Sequence, residues 1–299
     1  MKILVSGPRG LVGSRLIETL KADGHDVNGL SRTAKAPGDI AWDPAAGKLD
    51  GDLSTFDVVI HLAGESIAEG RWTAAKRQRI RDSRIKSTAL LAERMAELAG
   101  AGKGPKHFLV ASAIGIYGSR GNEELTEDSS VASGPFLVEV GRDWEAAADP
   151  ARAAGLRVVH LRIGIVLSPE GGALGKMLPL FKLGGGGRLG PGTQYWSWIS
   201  IDDTVGAIRH ALNTESLSGP VNLTAPAPVT NSEFTRILAT AVKRPALFPA
   251  PVFALKLALG ADTAEQMLLA STRVLPRTLE TSGYQFKHPD LASALRDLI

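Results

Sequence analysis

The sequence contains no cysteine. That excludes a disulfide framework, a thiolate metal site and a cysteine nucleophile, and it suits a cytoplasmic protein. Aromatic residues are scarce, 5% of 299 positions, which argues against a base-stacking nucleic-acid surface. Neither sign of charge prevails. The 34 Lys and Arg against 31 Asp and Glu leave a formal net charge of +3, so nothing in the balance marks a nucleic-acid or membrane-surface protein. Long apolar runs are missing too. A membrane span needs about 20 apolar residues, whereas Val252 to Leu259 is short and broken by Lys256. The opening Met1–Gly7 is too short for a signal h-region. With 44% hydrophobic and 22% charged residues, the chain reads as a soluble globular protein of one large or two smaller domains.

Strands and helices alternate through the first half. Lys2–Ser6, Asp26–Leu30, Asp57–Leu62, Lys106–Ala111, Arg157–Ile163 and Val221–Leu223 read as strands, the middle ones nearly all apolar, as doubly buried strands should be. Leu11–Leu20, Thr73–Leu98 and Val138–Ala148 carry helical spacing. This predicts an α/β fold, a doubly wound parallel sheet of the Rossmann kind. The expected dinucleotide-binding domain covers residues 1–165, with about 197–225 returning to it. Residues 166–299 would form a smaller, mostly helical substrate domain, with a capping box at Thr230–Glu233.

Gly7-Pro8-Arg9-Gly10-Leu11-Val12-Gly13 lies between the first strand and the first helix. The first glycine suits a tight turn, the second lets the backbone approach a pyrophosphate, and the third allows close helix–strand packing. The helix N-terminus then offers free N–H groups to the anion. An acid at the end of the second strand would select NAD through the ribose 2′-OH. Ser31-Arg32 stand there instead. Asp26 lies at the opposite end of the strand, roughly 16 Å away at about 3.3 Å per residue. Arg32 can grip a 2′-phosphate, Ser31 can donate to it and Arg9 can add charge, so the expected cofactor is NADP.

His61-Leu62-Ala63-Gly64, Ala111-Ser112-Ala113-Ile114-Gly115-Ile116-Tyr117-Gly118 and Trp198-Ile199-Ser200-Ile201-Asp202-Asp203 follow in order. With the glycine loop they make the chain resemble the extended short-chain dehydrogenase/reductases. More narrowly, Gly64-Glu65, Asp82-Ser83-Arg84, Arg142-Asp143-Trp144-Glu145 and Asn222-Leu223-Thr224-Ala225-Pro226 resemble the atypical branch labelled epimerase family protein. The resemblance implies a Rossmann domain holding NADP(H) through Gly7, Arg9, Gly10, Leu11, Val12, Gly13, Ser31, Arg32, Leu62, Ala63, Gly64, Glu65, Arg84 and Val166. It also implies a C-terminal domain of unknown function.

The parent superfamily works with a Ser and a Tyr-x-x-x-Lys, the Tyr serving as acid/base. Anchoring on Trp144-Glu145 puts Leu137 and Gly141 at the Tyr and Lys positions, and neither moves a proton. The Ser position falls on Ala113 or Ser112. The catalytic candidates are therefore Ser112, Tyr117 (the available phenol, also readable as structural) and Glu65, which is read as an acid/base, a ribose ligand or a solvated loop residue.

Arg71, Lys76, Arg77, Arg79, Arg81, Arg84 and Lys86 put seven bases in 16 residues, opposed only by Asp82. A solvated helix face is expected, with Arg84 turned to the cofactor. Asp202-Asp203-Thr204 reads as a helix N-cap. The six His show no metal-ligand spacing. Gly184–Gly192 with Arg188, Gln194, Tyr195, Trp196 and Trp198 reads either as a substrate pocket or as a mobile loop. Two functions stay open: an NADP-dependent oxidoreductase or epimerase acting on a small polar, sugar-like substrate, and a non-catalytic NADP(H)-binding regulator.

Overall fold

The computed structural model describes residues 1–131 and 133–299. In chain order the first elements are β1 (Lys2–Ser6), α1 (Leu11–Ala22), β2 (Asp26–Ser31), β3 (Ile40–Asp43), β4 (Lys48–Leu49), β5 (Val58–His61) and α2 (Ala74–Gly100). Then come β6 (His107–Ala113), β7 (Glu124–Leu125), α3 (Phe136–Ala146), α4 (Asp149–Ala153), β8 (Arg157–Ile163), β9 (Ile165–Ser168) and α5 (Gly172–Lys182). The remainder is β10 (Tyr195–Trp196), β11 (Trp198–Ser200), α6 (Ile201–Asn213), β12 (Gly219–Leu223), β13 (Val229–Thr230), α7 (Asn231–Ala241), α8 (Val252–Leu259), α9 (Ala261–Thr263), β14 (Arg273–Val274), α10 (Arg277–Thr281) and α11 (Leu291–Leu298).

Eight strands form one sheet in the order β12-β8-β6-β5-β1-β2-β3-β4. All neighbours are parallel except β3 and β4. The chain winds outward from β1 through β2 and β3, then crosses back to β5 on the other side of β1. That reversal opens a crevice beyond the carboxyl ends of β1 and β5, where open α/β sheets take their ligands. β5 is buried at all four positions, and Phe108, Leu109, Val110, Val158, Val159 and Leu161 fill the centres of β6 and β8. Burial of both sheet faces explains why these runs carry no apolar–polar alternation.

The hairpin at 40–49 is absent from the sequence reading. Its two strands are four and two residues long, too short for a periodicity signal. Residues 219–223 return as β12, the sheet's far edge beside β8, and α6 packs on α1. The rest of the second half gathers α5, α7 and α11 around Trp196, Trp198, Phe234 and Leu238. The capping box at Thr230–Glu233 is formed.

The cap at the start of α6 differs from expectation. Ser200 is the N-cap residue, accepting the Asp203 N–H at 3.0 Å. Asp203 is buried and instead accepts the N–H groups of Lys287 (2.7 Å) and His288 (2.9 Å), fastening the C-terminal segment. Among the described residues no helix is long and apolar enough to cross a membrane.

Candidate functional site

Gly7 ends β1 with φ +69°, in the left-handed region that suits glycine. Its carbonyl accepts the Gly10 N–H at 3.0 Å, closing the turn. A Cβ on Gly13 would stand 2.2 Å from the Gly7 oxygen, so only glycine lets α1 start this close to the loop. Gly10 is the N-cap of α1 and offers no side-chain cap. The first-turn amides therefore remain available to an anion.

This cradle opens onto a cavity of about 780 Å³. Its walls are Gly7–Gly10, Leu30–Arg32, Trp42–Ala45, Leu62–Glu65 and one face of α2 that includes Arg79, Asp82 and Lys86. The acids in this wall are all engaged. Asp43 accepts the N–H groups of Ala45 (3.0 Å) and Ala46 (3.2 Å). Asp82 meets Lys86 at 3.0 Å. Glu65 meets the Lys76 ammonium at 2.7 Å and Arg79 at 3.6 Å, and the Lys76 hydrogen bond holds its carboxyl below the usual range. Arg9 and Arg32 are exposed and have no ion-pair partner among the described residues. The residues thus fit a dinucleotide carrying an extra phosphate: open amides and uncommitted guanidinia along one cavity.

Ser31 is placed differently. It lines the cavity but is nearly buried, and its hydroxyl donates to the Thr33 carbonyl at 2.8 Å. Its proton is therefore taken up by the turn rather than offered to a phosphate.

A buried hydrogen-bond chain sets the loop after β5. Ser6 Oγ accepts the N–H groups of Leu62 (2.9 Å) and Ala63 (3.1 Å). Its own proton then goes to His61 Nδ1 at 2.6 Å. That assigns the His61 proton to Nε2, which donates to Ser87 Oγ at 2.9 Å, and Ser87 donates to the Ser83 carbonyl at 2.7 Å. Burial, helped by the Arg84 charge, lowers the His61 pKa to about 3, so the ring stays neutral and the chain keeps one polarity.

The basic run of α2 is partly exposed, and most of its members are paired. Arg77 pairs with Asp262, Arg81 with Asp143 and Lys76 with Glu65. Arg71 donates to the Leu257 carbonyl. Arg84 donates to the carbonyls of Glu65 (3.0 Å) and Ile80 (3.1 Å) and lies over the Trp144 ring at 5.0 Å. Burial lowers its pKa to about 10. Arg84 props the loop from behind and is not among the residues lining the cavity. Leu11 and Val166 also lie outside that wall. They meet beside Gly172, where an added Cβ would be 3.5 Å from Leu11 and 3.3 Å from the Val166 carbonyl oxygen. Val12 packs into the main core.

Ser112 and Tyr117 do not reach the cavity. Ser112 is 2% exposed and Tyr117 0%. Ser112 donates to Glu145 at 2.7 Å, and Arg162 grips both Glu145 oxygens at 2.8 and 2.9 Å. Arg162 also donates to the Tyr117 hydroxyl at 2.8 Å, which in turn donates to Asn222 Oδ1 at 2.8 Å. Burial raises the Tyr117 pKa. This network fastens α3, β6, β8 and β12 together, and in it both hydroxyls are engaged with protein partners. Ala113, one residue on, points to the opposite side of the strand and has no proton to give. At the superfamily's Lys position, a Cβ on Gly141 would sit 3.1 Å from the Ile116 side chain.

The aromatic segment read as a substrate pocket or a mobile loop is largely packed inward. Trp196 and Trp198 are core residues, and Gln194 is buried and donates to the carbonyls of Leu189 and Leu268, both at 3.0 Å. Sequence reasoning missed Trp42 and Pro44 in the cavity wall, Lys76 as the partner of Glu65, and the Glu145–Arg162 pair. Glu145 and Asn222 lie within the resemblance motifs, but nothing in those motifs says what they bind. Trp42 follows from the hairpin that was not read. Among the described residues no group of three or more His, Cys, Asp or Glu gathers to hold a metal ion.

A family model described as NAD dependent epimerase/dehydratase family matches residues 3–223, and one described as a domain of unknown function matches residues 250–298. An epimerase family protein of Mycobacterium bovis is 42% identical over 295 residues, spanning 98% of this chain and 96% of that protein. The epimerase family protein SDR39U1 of Homo sapiens is 35% identical over 303 residues, spanning 100% of both. The crystal structure of human SDR39U1 (isoform 2) with NADPH superposes with a TM-score of 0.91 at 34% identity, covering 100% of this chain and 99% of that one. A UDP-glucuronic acid 4-epimerase from Bacillus cereus in complex with NAD, at 19% identity and a TM-score of 0.75, shares the fold.

Proposed function

Because the chain belongs to the NAD dependent epimerase/dehydratase family, we propose that it binds NADP(H) in the crevice beyond β1, β2 and β5 and serves an oxidoreductase or epimerase reaction on a small polar, sugar-like substrate. The observation that carries this reading is the pairing of an uncapped helix N-terminus at Gly10 with unpartnered Arg9 and Arg32 along one cavity. The human relative solved with NADPH supports it.

In this reading Gly7, Gly10 and the first-turn amides of Leu11, Val12 and Gly13 hold the pyrophosphate. Arg32 and Arg9 hold the 2′-phosphate, with Ser31 shaping the turn that presents Arg32. Leu62, Ala63 and Gly64 form the floor, set in place by Ser6 and His61. Glu65, kept ionised by Lys76, accepts a ribose hydroxyl. It is a poor general base near pH 7, because its carboxyl is already stabilised without a proton. Val166 lies beside the Leu11 side chain outside the cavity wall, and Arg84 fixes the Glu65 carbonyl. A bound NADP(H) supplies the hydride donor or acceptor. Leu137 and Gly141 stand at the superfamily's Tyr and Lys positions, so in this reading the substrate or water brings the proton that accompanies the hydride.

A second reading follows from the same departure: a non-catalytic NADP(H)-binding regulator. Leu137 and Gly141 at the Tyr and Lys positions, and burial of Ser112 and Tyr117, favour it. Calorimetry with NADPH and NADH tests the cofactor, and equal or tighter NADH binding overturns NADP. A metabolite screen for NADPH oxidation and NADP⁺ reduction separates the two readings. Ligands that bind the loaded protein with no turnover in either direction would count for the regulator.

A further inference from the structure

Away from the cofactor cavity, four bases without an ion-pair partner among the described residues gather at one place. Arg188, Arg236, Lys243 and Arg244 line a groove of about 800 Å³ between one face of α7 and the strap of residues 244–249. No carboxylate lines it, and none of the four makes an ion pair within 4.0 Å among the described residues. Glu233, the acid on α7, is turned to the helix start, where it accepts the N–H and hydroxyl of Thr230, both at 2.8 Å.

The groove is built rather than incidental. Ser232, Thr235 and Arg236 share a face by their spacing along α7. Lys243 has φ 54°, and it is the one residue other than glycine in the left-handed region among the described residues. That turn ends α7, with the Arg244 N–H bonded back to the Ala239 carbonyl at 3.0 Å, and doubles the strap back along the helix. Arg244 is then anchored through Nε to the Lys182 carbonyl at 3.2 Å, which leaves other N–H groups of its fork for a ligand. The strap is pinned on the glycine run: the Phe248 N–H donates to the Gly186 carbonyl at 3.3 Å, and a Cβ on Gly187 would be 2.0 Å from the Phe248 oxygen.

Four cations around one concavity repel one another, and an anion of several charges held between them relieves that repulsion more than a single monovalent ion does. Guanidinium forks beside an ammonium match phosphate better than a single carboxylate. We propose that this groove binds a phosphate ester. Leu247 and Phe248, 72% and 67% exposed, form an apolar shoulder beside the cations, suited to the non-phosphate part of an amphipathic ligand. The groove shares no lining residue with the cofactor cavity, so the proposal stands apart from the reading of that cavity. A free phosphate ester and an anionic phospholipid headgroup offer the same chemistry.

The test uses the full chain and two probes, inorganic pyrophosphate by calorimetry and phosphatidic-acid against phosphatidylcholine vesicles by flotation. The double variant Arg188→Ser, Arg236→Ser removes two exposed cations. Lys243→Asn removes a third with a residue that tolerates the left-handed conformation, which guards against a misfolded double variant. Pyrophosphate binding that weakens about 10-fold or more in the double variant, falls in Lys243→Asn and persists in Arg32→Ala supports a free ester. Flotation with phosphatidic acid only, lost in the same variants, supports the headgroup. Binding of neither probe, binding unchanged in the groove variants, or binding lost only in Arg32→Ala overturns the proposal.

Discussion

Replacing Arg32 by alanine separates the 2′-phosphate from every other part of the cofactor reading. Arg32 is exposed, lines the cavity and has no ion-pair partner among the described residues. Its loss should therefore change fold stability by less than about 0.5 kcal/mol. The loop it begins is fixed elsewhere: Asp39 accepts the Gly29 N–H at 2.7 Å and the Ala36 N–H at 3.0 Å, and Ser31 holds Thr33. A hydrogen bond to a charged group is worth about 1.5–3 kcal/mol. At about 1.4 kcal/mol per decade, NADPH affinity in Arg32→Ala should fall roughly 10- to 150-fold. NADH affinity should barely change. The difference should shrink with added salt, because the site is open to solvent and screened over about 10 Å at 0.1 M. Calorimetry with both cofactors at two ionic strengths reads all of this. An equal loss for both cofactors would mean that the loop has collapsed. No loss for either would move the phosphate to Arg9 or the α2 face, and the reasoning from Arg32 would be refuted.

Gly13→Ala should do the opposite, weakening NADPH and NADH alike, since its Cβ would meet the Gly7 oxygen at 2.2 Å and displace the whole cradle; undiminished binding of either would refute the close-approach argument. Tyr117→Phe should cost about 1–3 kcal/mol in urea unfolding by stranding Arg162 and Asn222, with cofactor affinity unchanged; full stability with abolished turnover would instead make Tyr117 the proton donor. Stability should also fall in acid: the folded His61 pKa is lowered to about 3 from 6.5, so the unfolded chain binds the extra proton between those values. The contribution is complete above about pH 6.5 and shrinks by up to about 4–5 kcal/mol as pH drops toward 3. Urea titrations from pH 8 to pH 4 should show a shallower fall for His61→Gln, and identical slopes would disprove a neutral buried ring.

The cradle was legible because its signals are local. The turn glycines, the strand before them and the helix after them sit within a dozen residues, and each has one physical reason to be there. The strands flanking it were legible because burial on both faces erases every polar residue that function or a network does not require. The exceptions to that erasure were harder to place. Ser112 and Arg162 interrupt apolar strands, and Tyr117 follows one. From sequence alone, a polar group at a strand end looks the same whether it faces a ligand or a partner 45 residues away, as Tyr117 and Arg162 are. The α2 bases failed for the same reason: the acids that meet Arg77 and Arg81, Asp262 and Asp143, come from distant segments.

This difference between local and long-range pairing bears on what the crevice can do. Glu145 and Arg162 are both largely buried, and desolvation makes such a pair costly unless each oxygen and N–H is used. Here Ser112 and Tyr117 complete that set, so neither hydroxyl can be withdrawn to serve a substrate without stranding a charge. Gly141, read at the superfamily's Lys position, packs its backbone against Ile116, and the Ser position falls on Ala113, which has no hydroxyl, or on Ser112, which is engaged with Glu145. The cofactor half of the crevice, by contrast, keeps its free amides and uncommitted arginines. On the reading proposed above, such a fold keeps its nucleotide cradle and takes its proton from outside the Ser112–Tyr117 network. That reading directs the substrate search to molecules that carry their own proton or exchange it with water.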